Sequence, residues 1–143
     1  MSTHLHALQP GESLRFIAPL KGHAWTPNQH PHITLIAGGA GITPMFQLVQ
    51  GILQNPQDAT QIALVCGVNS DADLLLKDEF DVFEKQFPGR FRATYAEVLP
   101  ASGSSKVFVC GPPGLEDALV GGKGKPLGIL EQLGYGKDKV HKL

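Results

Sequence analysis

Two turns hold the residues of this chain that could do chemistry. The first, Gly38-Gly39-Ala40-Gly41-Ile42-Thr43-Pro44, follows the apolar run Ile33 to Ala37. Glycines there allow a tight turn and let a ligand approach the backbone. Thr43 suits a helix N-cap and Pro44 the first helical position. Such a junction aims backbone N–H groups and the positive end of a helix dipole at an anion, and a pyrophosphate is the natural guest. On this basis, bulk at Gly41 is expected to occupy the phosphate site. The pattern departs from the Gly-x-Gly-x-x-Gly dinucleotide fingerprint, because Pro44 stands where the third glycine would be. A plain tight connection between strand and helix accounts for the same residues. The second turn closes the run Val107-Phe108-Val109-Cys110 and reads Gly111-Pro112-Pro113-Gly114. No His–carboxylate arrangement that would activate Cys110 as a nucleophile is evident.

The elements that must position these turns alternate in type. Short apolar runs predict strands at Ile33 to Ala37, Ile62 to Cys66, Phe91 to Tyr95 and Val107 to Cys110. A further strand is expected over Leu14 to Ala18. Met45, Leu48, Val49, Ile52 and Leu53 mark one face of a helix that ends at Asn55-Pro56. A second helix is predicted from about Asp73 to Phe87, with Leu76, Phe80, Phe83 and Phe87 on its core face. Leu115, Ala118 and Leu119 indicate a short third helix, and Leu127 to Leu133 a fourth, closed by Gly134. Alternation of this kind predicts an α/β fold: a parallel Rossmann-like sheet with helices on both faces and ligands outside the carboxyl ends of the strands. If the strands before the two turns are neighbours, the turns flank one crevice.

Composition bounds the function classes. The chain has 143 residues, enough for one domain with a real core, and 42% of them are apolar against 17% charged. A net charge of −1 gives no nucleic-acid or membrane-surface signal. No apolar run approaches the roughly 20 residues of a membrane helix, and no signal peptide is visible. Cys66 and Cys110 make no disulfide framework. The His4/His6 and His30/His32 pairs lack the further ligands a metal site needs. Lys123, Lys125, Lys137, Lys139 and Lys142 crowd the last fifth of the chain, as either a solvated face or a docking patch for an acidic partner.

Taken together, the Gly38–Met45 turn, Asp73-Leu74-Leu75-Leu76-Lys77, Val107 to Pro113, Gly128-Ile129-Leu130 and Leu133-Gly134-Tyr135 resemble the NADH–cytochrome b5 reductase family of the ferredoxin-reductase superfamily, most of all its fungal mitochondrial form. The resemblance covers nearly the whole chain and implies three parts: residues 1–22 as a remnant of an FAD-binding barrel, 23–32 as a linker and 33–143 as the NAD-binding domain. It implies that Gly38, Gly39, Gly41, Thr43 and Pro44 hold the NADH pyrophosphate. It implies that Gly111, Pro112 and Pro113 sit beside the nicotinamide, with Cys110 as the residue that orders that ring against the flavin. Asp73 falls where the adenine ribose should lie; a carboxylate there favours NADH over NADPH, although a helix N-terminal Asp explains the residue equally well. Ser2 and Thr3 match the tail of a segment that holds the FAD pyrophosphate. Electrons would pass from NADH through FAD to cytochrome b5 or a similar haem protein. The expected location is mitochondrial and membrane-associated, with endoplasmic reticulum or cytoplasm as alternatives and any membrane tether outside this chain.

The chain departs from the family in three places. A Trp-Gly-rich loop and a helix are missing after Tyr95, a second shortening lies near Gly121 to Pro126, and Leu143 stands where relatives end in Phe. Deletion and the joining of separate pieces both account for the shortenings. Two other functions remain open: a nitrate-reductase-like flavin oxidoreductase, and a non-catalytic module that binds nucleotide or a partner.

Overall fold

The computed structural model describes residues 2–15, 23–67, 74–94, 105–122 and 128–143. Five strands form one sheet: β1 (His32–Gly38), β2 (Gln61–Gly67), β3 (Phe91–Thr94), β4 (Ser105–Cys110) and β5 (Val140–Lys142). Their order is β3-β2-β1-β4-β5, and every pairing is parallel. The register places Ala37 beside both Cys66 and Cys110. β1 is the central strand, and residues 33–38 are buried, as the apolar run from Ile33 predicts.

The helices are α1 (Ser2–Ala7), α2 (Ile42–Gln54), α3 (Lys77–Gln86), α4 (Pro113–Val120) and α5 (Ile129–Gln132). On one face of the sheet Ile33, Leu35, Ala37, Ile62, Leu64, Cys66, Phe91 and Phe108 pack with Met45, Val49, Ile52 and Leu53 of α2 and Phe80 and Phe83 of α3. The aromatic side chains interlock there: Phe80 stacks on Phe91 at 5.8 Å, and Phe83 meets the same ring edge-on at 6.2 Å. On the other face Ile36, Val65, Val107 and Val109 pack with Leu119, Leu130 and Tyr135. Thr34, buried on that face, hydrogen-bonds Tyr135. The helices thus cover both faces.

Several boundaries differ from the sequence expectation. α3 begins at Lys77 and not near Asp73, because Leu76 takes a left-handed backbone (φ +59) that no α-helix accommodates. Glu12 to Arg15 form no strand; the rest of the strand expected over Leu14 to Ala18 lies outside the described residues. So do Asp73, Tyr95, Leu127, the shortening expected after Tyr95 and residues 123–126 of the second one. α5 is a single turn, ended as predicted at Gly134 (φ +89): Tyr135 N–H donates to Leu130 O at 2.9 Å and Gly134 N–H to Glu131 O at 3.1 Å.

Two substitutions should move stability in opposite directions in urea unfolding. Phe80→Ala, at a site with no exposure, should cost about 3–5 kcal/mol. Gly51→Ala, exposed in mid-α2 with nothing within 4 Å of the added Cβ, should stabilise by about 0.5–1 kcal/mol.

Candidate functional site at the β1 and β4 carboxyl ends

The chain steps outward from β1 through β2 to β3, then returns to the other side of β1 as β4. The crevice between the carboxyl ends of β1 and β4 is therefore the switch point at which ligands bind in open α/β sheets. Both turns identified in the sequence open there.

Gly39 to Gly41 wind into one turn of 3-10 helix that runs directly into α2. Gly41 is the N-cap of α2, so Thr43 lies inside the helix and is not its cap. The hydroxyl Oγ1 of Thr43 donates backward to Ala40 O at 2.9 Å. The glycines allow this earlier start, because they let the backbone coil before any capping side chain is needed. Gly39 has φ +52, and a Cβ there would meet nothing within 4 Å, so this backbone faces open space. Thr43 is exposed beside it and Pro44 half-buried.

Gly41 carries a contact that the sequence did not show. A Cβ at Gly41 would lie 2.5 Å from the carbonyl carbon of Cys110 and 2.9 Å from Gly111 N. The obstacle to a side chain is the second turn itself, and the two turns touch at this point. In the second turn, Pro112 is the N-cap of α4 and Pro113 its first residue. Leu115 N–H and Glu116 N–H donate to Pro112 O at 2.9 and 3.2 Å. The Leu115 methyl Cδ2 lies 2.6 Å from where a Cβ on Gly38 would stand and 2.7 Å from that of Gly111. Both glycines therefore make room for one leucine of α4.

Burial pushes the Cys110 thiol above its ordinary pKa, and the nearby Glu116 carboxylate pushes it further. Cys110 is thus a neutral thiol at neutral pH, unsuited to nucleophilic attack. Cys66, buried more deeply, is pushed up to about 11. A hollow lined by Ala37, Gly39, Ile42, Cys66, Leu74 and Leu75 continues the crevice over the end of β2. A larger cavity of about 1050 Å³ lies beyond Pro44, with Trp25, Leu48, Ile52 and His141 among its walls.

Of the residues singled out in the sequence, Gly38, Gly39, Gly41, Thr43 and Pro44 are gathered with Cys110, Gly111, Pro112 and Pro113. Asp73 lies outside the described residues. Ser2 and Thr3 belong to α1, where Thr3 is exposed. Of the lysine group, Lys142 Nζ sits 3.4 Å from Glu116, and Lys123 and Lys125 lie outside the described residues. Sequence reasoning missed Leu115 and Glu116. The signal for Leu115 was the pair Gly38 and Gly111, each at the end of a strand.

Residues 35–105 match the family described as the oxidoreductase NAD-binding domain. The fold is accordingly that of an oxidoreductase NAD-binding domain. The chain is 42% identical to NADH-cytochrome b5 reductase 2 of Phaeosphaeria nodorum over 99% of its length, which is 51% of that protein. It is 40% identical to the Coccidioides immitis protein of the same name, again over 99% of this chain and 53% of the relative. The cytochrome b5 reductase domain of Ulva prolifera nitrate reductase superposes with a TM-score of 0.84 at 24% identity, covering 99% of this chain and 64% of that one. The chain is similar to NADH–cytochrome b5 reductases over nearly its whole length, and it spans about half the length of the curated relatives it matches. The match to the first relative runs over 172 aligned positions, more than the 143 residues here, so that relative carries internal residues this chain lacks.

Contact between the turns predicts a sharp difference between two glycines. Gly41→Ala should lower the melting temperature by several degrees, since the methyl group must displace the Cys110 backbone. Gly114→Ala, with nothing within 4 Å of the new Cβ, should leave it nearly unchanged when both are followed by calorimetry.

Proposed function

We propose that this chain is the NADH-binding lobe of a reductase that passes electrons from NADH through FAD to cytochrome b5 or a similar haem protein. The observation that carries the reading is the interlock of the two turns at the switch point, with Gly41 against the Cys110 carbonyl and open space at Gly39. Backbone at Gly39 and the α2 N-terminus are the groups that would meet a pyrophosphate, and among the described residues nothing lies within 4 Å of a Cβ built on Gly39. NADH supplies the hydride when bound, and the protein's part is orientation.

Gly38, Gly39, Gly41, Thr43 and Pro44 form the pyrophosphate side of the crevice. Gly111, Pro112 and Pro113 form the nicotinamide side, and the neutral Cys110 thiol presents a small soft surface to the ring. Asp73 accepts from the adenine ribose and disfavours a 2′-phosphate. Ser2 and Thr3 belong to the FAD side. Thr3 is the described side chain of that pair, and it makes no flavin cradle by itself. The lysines near the carboxyl terminus serve an acidic haem-protein partner. Mitochondrial membrane association is proposed from the family resemblance; among the described residues no helix is long and apolar enough to cross a membrane. Fractionation of the native protein checks the location.

Titration calorimetry with ADP-ribose and NADH tests the site. Thr43→Val and Cys110→Ser should leave ADP-ribose affinity within about threefold, since the backbone makes the cradle. In the flavin-loaded natural protein, Cys110→Ser should slow flavin reduction by about tenfold or more, because a misplaced ring loses near-attack geometry. Asp73→Ser should narrow the preference for NADH over NADPH. Failure of the wild-type chain to bind ADP-ribose would overturn the reading.

A further inference from the structure

A buried carboxylate far from the crevice is held by an unusual number of donors. Asp58 is 1% exposed and stands just before β2. Its Oδ2 accepts from the Trp25 indole Nε1–H at 2.8 Å. Its Oδ1 accepts from Thr60 Oγ1–H at 2.6 Å, Thr60 N–H at 3.0 Å and Asn28 N–H at 3.3 Å. Asn28 completes the clamp from the other side. Its Oδ1 accepts from Ala59 N–H at 2.8 Å, and its Nδ2 donates to Gln57 O at 2.6 Å. Burial alone would raise the Asp58 pKa, but the bonds from Thr60, Trp25 and Asn28 outweigh it and hold the value below the ordinary one.

Trp25 and Asn28 belong to the strap, residues 23–31, that leads the chain into β1. The clamp therefore ties the strap to the turn before β2 at the amino edge of the sheet. Trp25 and His23 also lie against Phe108, with ring centroids 6.4 and 5.0 Å away. The glycine turns stand at the opposite edge, a strand length or about 20 Å away. A residue this remote cannot touch a nucleotide held by the turns. It can set the direction in which everything before the strap leaves the lobe.

We propose that Asp58 is a positioning residue for hydride transfer: by pinning the strap through Trp25 and Asn28, it fixes the orientation of the flavin-bearing part of the protein on the NADH lobe. This inference rests on the preceding functional reading, in which the flavin lobe precedes the strap. Asp58→Asn is nearly isosteric. Its amide must turn an N–H toward either the Trp25 indole or the Thr60 and Asn28 donors, so part of the clamp opens without a change of volume.

The test uses the natural full-length protein with its flavin, mixed anaerobically with NADH. Asp58→Asn should slow the limiting rate of flavin reduction by about tenfold to a hundredfold, with NADH affinity within twofold of wild type. Trp25→Phe should act in the same direction, and the double variant should be no worse than Asp58→Asn alone, because both remove one interaction. Phe83→Leu, a core change in α3 away from the clamp, should reduce stability and leave the rate unchanged. Trp25 is the only tryptophan, so in the 143-residue chain its emission should shift to longer wavelength in Asp58→Asn. An unchanged reduction rate, a parallel loss of NADH affinity, additive effects in the double variant or an unshifted emission would each overturn the positioning role. A natural polypeptide that carries no flavin would instead overturn the functional reading, and the positioning role with it, while the emission shift would persist.

Discussion

The approach of Gly41 to the Cys110 carbonyl is the constraint on which the site depends. Parallel pairing brings β1 and β4 side by side, but it fixes only backbone spacing up to Ala37 and Cys110. Beyond those residues the two chains must diverge into α2 on one face and α4 on the other. The missing side chain at Gly41 lets them leave in contact, and Gly38 and Gly111 admit Leu115 beside that contact. The crevice is therefore bounded by two turns that hold each other, and its width follows from backbone packing.

This arrangement lets a protein of modest charge offer the anion site proposed above. Open backbone at Gly39 and the start of α2 supply positive potential without a lysine or arginine in the turn. Electrostatics near Cys110 run the other way. Burial and Glu116 keep its thiol protonated, so the side of the crevice assigned to the nicotinamide carries no thiolate. One edge of the sheet thus presents the turn proposed to hold an anion beside a neutral one.

Much of this was legible in the sequence because it depends on local pattern. The apolar runs at Ile33, Ile62 and Val107 could be read as buried strands, and the glycines after them as turns. What was not legible depends on geometry between distant segments. Thr43 reads as a helix cap, yet the 3-10 turn at Gly39–Gly41 starts the helix earlier. Lys77 and not Asp73 opens α3, because Leu76 adopts a left-handed backbone that no propensity rule assigns to leucine. Asp58 reads as one more polar residue in a Pro- and Gln-rich turn, and only the fold brings Trp25 and Asn28 to it. The contact at Gly41 was hidden for the same reason: the residue it meets, Cys110, is 69 positions away in the chain.

The two faces of the sheet are unequally supported. Among the described residues the α2–α3 side gathers a large cluster rich in phenylalanine, whereas the α4–α5 side relies on a smaller, mainly aliphatic one that includes a single-turn helix. Local opening takes least free energy where fewest apolar contacts are lost. Amide protons of α4 and α5 should accordingly exchange with solvent sooner than those of α2 and β1. The second turn, Cys110 to Pro113, is carried by this more readily opened half, and the first turn by the slower one. The crevice therefore has one wall that persists through partial unfolding and one that comes and goes with it.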